Sequence, residues 1–253
     1  MLWRNRIVRG DLLRLLLALP DACYDAVVTD PPYSSGGAFR ADRAGPSTSS
    51  KYQNTETERR YAEFAGDTRD QRGWSYWLAL WLAECWRVTR ECGVVMLFSD
   101  WRQLPEASDA LQAAGWVWRG IAVWDKTEAA RPQRGRFRNQ CEYILWGSKG
   151  PWWDNEGAPL PGVLRYAVRA QEKEHMTAKP LPVMRWLLSA CPAGGVVLDP
   201  CAGSGTTGKA AQERGMGWTG FEIVPEIAQI GAAGDWIQRS LEAVQAQLGA
   251  TVG

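Results

Sequence analysis

The sequence predicts an α/β fold, a mostly parallel sheet flanked by helices, from three observations. Apolar, β-branched runs of strand length alternate with longer stretches whose apolar residues recur at helical spacing. Two of the strand-like runs end in an acid followed by proline, at Asp30 and at Asp199. Behind the second lies a glycine-rich turn that leads directly into a helix, the form in which open α/β sheets present a binding edge.

The 253 residues are enough to bury one good core, and a single domain over 1–253 is expected. A net charge of +1 gives no global attraction to nucleic acid, so any such binding must come from a local patch. Six cysteines without a C-x-x-C pair and a single histidine, His175, point to neither a disulfide framework nor a zinc site. A reducing cytoplasm and no structural metal are therefore expected. Fifteen tryptophans are many for this length. Most suit a core or an interface, and several flank polar loops where indoles can stack on bases.

Taken in order, residues 6–8 read as a short strand. Gly10-Asp11 follows, then an amphipathic helix of Leu12, Leu13, Leu15, Leu16 and Leu19 that Pro20 closes. Arg4, Arg6 and Arg9 ahead of the leucines imitate a leader peptide, but Arg14 interrupts the run and no small-residue cleavage site follows. No stretch is long and uncharged enough to span a bilayer, so no membrane partner is expected. Residues 24–29 suit a buried strand that stops at Asp30-Pro31-Pro32-Tyr33, where a double proline can neither donate a ladder bond nor continue a helix. An acid is thereby held at a strand's carboxyl end. Tyr33 follows on a stiffened backbone, with an aromatic face and a hydroxyl close to that acid.

From 34 to 72 the apolar pattern dissolves into Gly, Ser, Thr, Arg, Asp and Glu. A loop that long in a compact domain is functional or disordered, and its position behind Tyr33 favours function. Trp77, Leu78, Trp81, Leu82, Cys85 and Trp86 form the face of a helix over 74–88. A buried strand over 93–98, a helix over 104–114 closed by Gly115, and a strand over 118–124 continue the rhythm. Residues 126–139 are polar and carry Arg131, Arg134, Arg136 and Arg138. On a strand the alternating arginines would face one way and offer a row for phosphates; a solvated face is the plainer reading. Residues 142–146 form another strand, 147–162 a Pro/Gly/Trp loop, and Leu181, Met184, Leu187 and Leu188 a helical face behind Lys179-Pro180. Without a Ser or Cys nucleophile in a recognisable motif, His175 reads as a structural or ligand-contacting residue rather than a base.

The second informative stretch, 196–210, reads as strand, glycine turn and helix. Its glycines let a ligand approach closely, and the helix amino terminus offers unpaired N–H groups. Gly203 to Lys209 has the spacing of a P-loop, but Ala210 stands where that motif needs Ser or Thr for magnesium. The other reading is a nucleoside cofactor whose ribose hydroxyls meet an acid ending the next strand. Glu222, at the end of the strand after the turn, satisfies it.

Asp-Pro-Pro-Tyr at 30–33 together with Leu-Asp-Pro-Cys-Ala-Gly-Ser-Gly-Thr-Thr at 198–207 resembles the S-adenosylmethionine-dependent DNA amino-methyltransferases. Because the catalytic motif precedes the glycine turn, the resemblance is to their β-class. It extends to Gly10-Asp11, to His175 with Lys179-Pro180, and to Gly220-Phe221-Glu222, and so spans most of the chain. It implies a doubly wound, Rossmann-like sheet in circularly permuted order. It also implies that Asp199, Pro200, Cys201, Gly203, Ser204, Gly205, Thr206 and Thr207 hold the methionine end of S-adenosylmethionine, with Lys179 in the cofactor set. Glu222 would take the ribose hydroxyls, Phe221 or Ile223 would sandwich the adenine, and Asp11 would meet its polar edge. Cys201 departs from the family, which often has phenylalanine there. Residues 34–72 and 126–172 match nothing specific and are the expected target-recognition regions, with Arg131, Arg134, Arg136 and Arg138 as candidate DNA contacts. Double-stranded DNA is the implied partner, and many of the family form homodimers.

The chemistry implied for Asp30, Pro31, Pro32 and Tyr33 follows from the needs of an exocyclic amine. Its lone pair is delocalised into the ring until acceptors for both N–H bonds draw it toward a tetrahedral shape; Asp30 and the Pro31 carbonyl would be those acceptors. Tyr33 would offer a face to the flipped-out base. Adenine N6 is preferred to cytosine N4 because the family's cytosine members more often carry Ser at the position of Asp30. A P-loop NTPase and a DNA-binding protein with a decayed transferase are the readings from other classes.

Overall fold

The computed structural model describes residues 3–34, 69–130, 132, 134–152, 157, 159–167, 179–225 and 227–228. Among them eight strands form one sheet: β1 (Arg6–Arg9), β2 (Tyr24–Thr29), β3 (Thr89–Ser99), β4 (Val117–Asp125), β5 (Cys141–Ser148), β6 (Val163–Arg165), β7 (Val196–Asp199) and β8 (Gly217–Glu222). Their order is β1-β8-β7-β2-β3-β5-β4-β6. The five strands from β1 to β3 run parallel, β5 is antiparallel to both β3 and β4, and β6 lies parallel to β4 at the edge. The reversal has a simple cause: β4 and β5 are joined without a helix, so the chain returns alongside itself instead of crossing over.

Side-chain alternation along the central strands builds two cores. Val27, Val95, Leu97 and Leu198 face α1 (Leu12–Leu17), α2 (Gln71–Val88) and α3 (Leu104–Ala113). Ala26, Val28, Met96, Phe98 and Val197 face α4 (Leu181–Leu188) and α5 (Thr206–Glu213). Both faces of the parallel sheet are thus covered, which explains why its strands are apolar throughout rather than alternating with polar residues. Trp74, Leu78, Trp81, Leu82 and Cys85 recur at helical spacing and are fully buried on α2. Asp70 caps that helix, accepting the Gly73 N–H at 2.7 Å, and Asp11 caps α1 by accepting the Arg14 N–H at 3.2 Å.

From β7 the chain passes through α5 to β8 on one side, and from β2 through α2 to β3 on the other. The two strands are parallel neighbours, with Ala26 opposite Val197 and Val27 opposite Leu198. The Asp25 carboxylate accepts the Val196 N–H at 2.7 Å and pins this register. The switch point of the doubly wound sheet therefore lies between the strand that delivers Asp30 and the strand that delivers Asp199.

Two expectations change. Residues 134–140 are turn and irregular backbone, so the row of arginines that a strand would align does not form. Beyond the Pro/Gly/Trp loop the chain adds β6, three residues that pair with β4 and carry no alternation long enough to read.

Gly208 lies inside α5, where alanine would ordinarily stabilise by about 1 kcal/mol. A Cβ there would come within 2.6 Å of the Trp218 indole, which is itself buried in the core. Overpacking of that kind costs about 1 to 3 kcal/mol and outweighs the propensity gain. Gly208→Ala is thus expected to lower the free energy of unfolding in urea titration.

Candidate active site at two neighbouring strand ends

Asp30 leaves β2 with both carboxylate oxygens engaged. The Tyr33 hydroxyl donates to Oδ1 at 2.6 Å, and the Lys179 ammonium donates to Oδ2 at 2.6 Å. The backbone that carries it is held from outside. Trp74 Nε1, on α2, donates to the Pro32 carbonyl at 2.7 Å, and Gln103 Nε2 donates to the Tyr33 carbonyl at 2.8 Å. With those two carbonyls occupied, the Pro31 carbonyl has no recorded donor among the described residues. Burial pushes the Asp30 carboxyl above the usual range, and Lys179 works against that rise.

A second carboxylate, Glu142 on β5, joins this group. It accepts from Lys126 at 3.1 Å through Oε1, while its Oε2 lies 3.1 Å from the Lys179 ammonium and accepts the Tyr33 hydroxyl at 3.3 Å. Sequence reading passed over Glu142. The available signal was a charged residue opening the run Tyr143-Ile144-Leu145-Trp146, an otherwise apolar strand. Lys179, expected with the cofactor set, is ion-paired with the two carboxylates. Its ammonium lies 5.5 Å from the centre of the Tyr33 ring and 5.2 Å from that of Phe98.

At the neighbouring strand end the glycine turn is tied down on three sides. Asp199 is buried; its oxygens accept the Cys201 N–H at 3.1 Å and the hydroxyl of Thr207. Ala202 N–H donates to the Phe221 carbonyl at 2.8 Å, and Gly203 N–H donates to Glu222 Oε2 at 3.0 Å. Gly205 takes φ +87° as the residue before α5, a left-handed conformation that disfavours any side chain. Pro200 is buried, Cys201 and Thr206 are half-buried, and no side chain caps the amino terminus of α5. Two features mark the turn as a cradle. Among the described residues, the buried Ser204 hydroxyl has no hydrogen-bond partner and a Cβ on Gly203 would meet nothing within 4 Å.

Glu222 accepts from Gly203 with one oxygen and from the Val224 N–H at 2.8 Å with the other. Burial raises its pKa, and these N–H groups oppose the rise. Phe221 is fully buried, edge-on to Trp3 with ring centres 5.9 Å apart, so it belongs to the core. Ile223 is 49% exposed and presents the apolar surface at this edge. Asp11 is exposed just beyond Arg9, the register partner of Glu222, at the same end of the sheet. Arg134, Arg136 and Arg138 are exposed, but Arg138 donates to the Glu128 and Ala130 carbonyls and braces its own loop. Arg131 and His175 lie outside the described residues, as do 35–68 and much of 153–178.

A doubly wound sheet that sets an Asp-Pro-Pro-Tyr strand end beside a glycine turn backed by an acid defines the chain as a methyltransferase by class. Residues 24–233 match the model of the DNA methylase family N6_N4_Mtase, and the chain belongs to that family. It is 30% identical over 243 residues to "Putative methylase YubD" of Escherichia coli (strain K12), covering 95% of this chain and 92% of that one. The solved M1.HpyAVI-SAM complex shares the fold with a TM-score of 0.63 at 21% identity, covering 89% of this chain and 96% of its own. So does the PvuII DNA methyltransferase, cytosine-N4-specific by title, with a TM-score of 0.62 at 16% identity, covering 89% and 84%.

Burial pushes the Asp199 carboxyl up to about 6, against the bonds from Thr207 and Cys201. A folded aspartate of that kind binds its proton more tightly than the unfolded one. Its contribution to stability is therefore complete below about pH 4 and is lost as pH rises through about 6, some 3 kcal/mol in all. Asp199→Asn removes this component. Urea unfolding of both proteins between pH 4 and 7.5 should show the wild type losing stability relative to the variant across that window.

Proposed function

We propose that this chain transfers a methyl group from S-adenosylmethionine to the exocyclic N6 of an adenine flipped out of double-stranded DNA. The observation that carries this reading is the parallel pairing of β2 with β7, which brings Asp30 and the glycine turn to one crevice.

The turn suits the methionine end of the cofactor: it has an orphaned hydroxyl at Ser204, open space at Gly203 and uncapped N–H groups at α5. Asp199, Pro200, Cys201, Gly205, Thr206 and Thr207 complete that side. Glu222 takes the ribose hydroxyls, since each of its oxygens keeps a lone pair beyond its bond to the backbone. Ile223 covers the adenine, and Asp11 meets its polar edge. When bound, S-adenosylmethionine supplies an electrophilic methyl on sulfur.

Asp30 accepts one N–H of the target amine and the Pro31 carbonyl accepts the other, drawing the nitrogen lone pair out of conjugation. The hydrogen bonds to the Pro32 and Tyr33 carbonyls keep this acceptor pair rigid before the base arrives. Tyr33 contributes an aromatic face. Residues 34–72 and 126–172 form the target-recognition regions, with Arg134 and Arg136 flanking the phosphates beside Phe137, which is 97% exposed. Asp30 favours adenine, because the family's cytosine enzymes more often have serine at that position. The likeness to the PvuII enzyme keeps N4 of cytosine as the second reading.

Sequencing that reports modified bases, on DNA from cells expressing the protein, identifies both the base and the target word; methylated cytosine in place of adenine overturns the first reading. Asp30→Ala is expected to abolish methyl transfer while calorimetry shows the cofactor still bound. Glu222→Ala is expected to weaken cofactor binding at least about tenfold, in line with the loss of hydrogen bonds to a charged group.

A further inference from the structure

Behind the catalytic acid runs a half-buried row of charges with alternating sign: Asp30, Lys179, Glu142, Lys126. The side chains of Asp30, Lys179 and Glu142 are only 21%, 12% and 16% exposed. Lys179 stands between the two carboxylates, 2.6 Å from one and 3.1 Å from the other, and Lys126 closes the row 3.1 Å from Glu142. The Tyr33 hydroxyl bridges the same two carboxylates from the other side. Three strands or their flanking segments and the residue ahead of α4 supply these groups, so the row forms only when the strands and that helix are assembled.

Two carboxylates sharing a dry site do not both ionise unless a cation lies between them. Glu142 stays below the usual carboxylate range in spite of burial, because Lys179 and Lys126 both face it. Asp30 has less support: burial and the nearby Glu142 push it up, and Lys179 is the cation that opposes them. Among the described residues the remaining neighbours add no positive charge. Asp199 faces Asp30 from β7, Asp100 acts on Tyr33 from the end of β3, and the Cys201 thiol is held neutral by burial.

We infer that Lys179 and Glu142 are positioning residues for the methyl-acceptor site. Lys179 keeps Asp30 ionised for the target amine; Glu142 anchors Lys179 and, by sharing its charge, leaves Asp30 a strong acceptor. This rests on the assignment of Asp30 as the amine's acceptor made above.

The test follows Asp30 in two ways. Carboxyl-carbon NMR of aspartate-labelled, ligand-free protein, with Asp30→Asn to assign the signal, gives its titration midpoint. Methyl transfer to DNA across pH gives the acid limb of activity, which is present above the Asp30 pKa and lost as pH falls through it. Lys179→Met is expected to move both upward by at least about one pH unit, and Lys179→Arg to restore them. Adding Glu142→Gln to Lys179→Met is expected to bring both back down, since it removes the repelling carboxylate; a purely structural role would make the double variant no better. An unmoved midpoint in Lys179→Met, or a double variant that titrates no lower, overturns the proposal. If Lys179→Met does not fold, Glu142→Gln alone decides, with a lower Asp30 midpoint expected and an unchanged or higher one overturning it. If the midpoints move as expected but the wild type methylates no DNA, the charge row stands and the function assigned to the site falls.

Discussion

The site depends on the register between β2 and β7. Neither strand end carries the whole cluster: β2 delivers Asp30 and Tyr33, and β7 delivers Asp199 and the glycine turn. Parallel pairing brings the two ends together, and the Asp25 side chain on the Val196 N–H fixes which residues lie opposite. A slip of one residue would turn Val27 and Leu198 into the wrong core and rotate Asp199 away from its hydrogen bonds. Apolar burial on both faces therefore enforces the same alignment that the site requires.

The crevice concentrates acids, three half-buried and one, Asp199, buried: Asp30, Glu142, Asp199 and Glu222 all lie at one end of the sheet. Each is handled differently. Lysines neutralise the first two, backbone and hydroxyl donors satisfy Asp199, and backbone N–H groups hold Glu222. Among the described residues the lysines thus gather at the end of β2, while the acids around the glycine turn are held by neutral donors.

Much of this was legible in the sequence because local patterns and tertiary packing agree. Residues 24–29 and 196–199 read as strands on composition alone, and the helices over 104–113 and 181–188 on periodicity; the structure keeps them nearly to the residue. The paired motifs at Asp30 and Asp199 also declared themselves, since proline and glycine have few other uses in such settings. What stayed hidden depends on long-range geometry. Glu142 looks like any acid at the start of a strand until β5 is laid antiparallel to β3. Lys179 lies 149 positions from Asp30, and no spacing rule joins them. Phe221 and Ile223 flank Glu222 equally in sequence, and only the sheet shows that one faces the core and the other the solvent. The arginines of 134–138 lie on turn and irregular backbone between β4 and β5.

The backbone N–H of Arg69 donates to the Ser34 side chain at 3.3 Å, immediately before α2 begins. The chain thus departs from the catalytic strand and re-enters the core at a single point, while Trp74, one turn further on, grips the Pro32 carbonyl. The intervening stretch has its two ends, at residues 34 and 69, fastened to each other beside the strand end. Its closure penalty grows only with the logarithm of its length, so a longer, shorter or entirely different insert can be exchanged there without disturbing the chemistry. Such a junction gives evolution a socket: sequence can be exchanged there while the strand ends around it stay fixed.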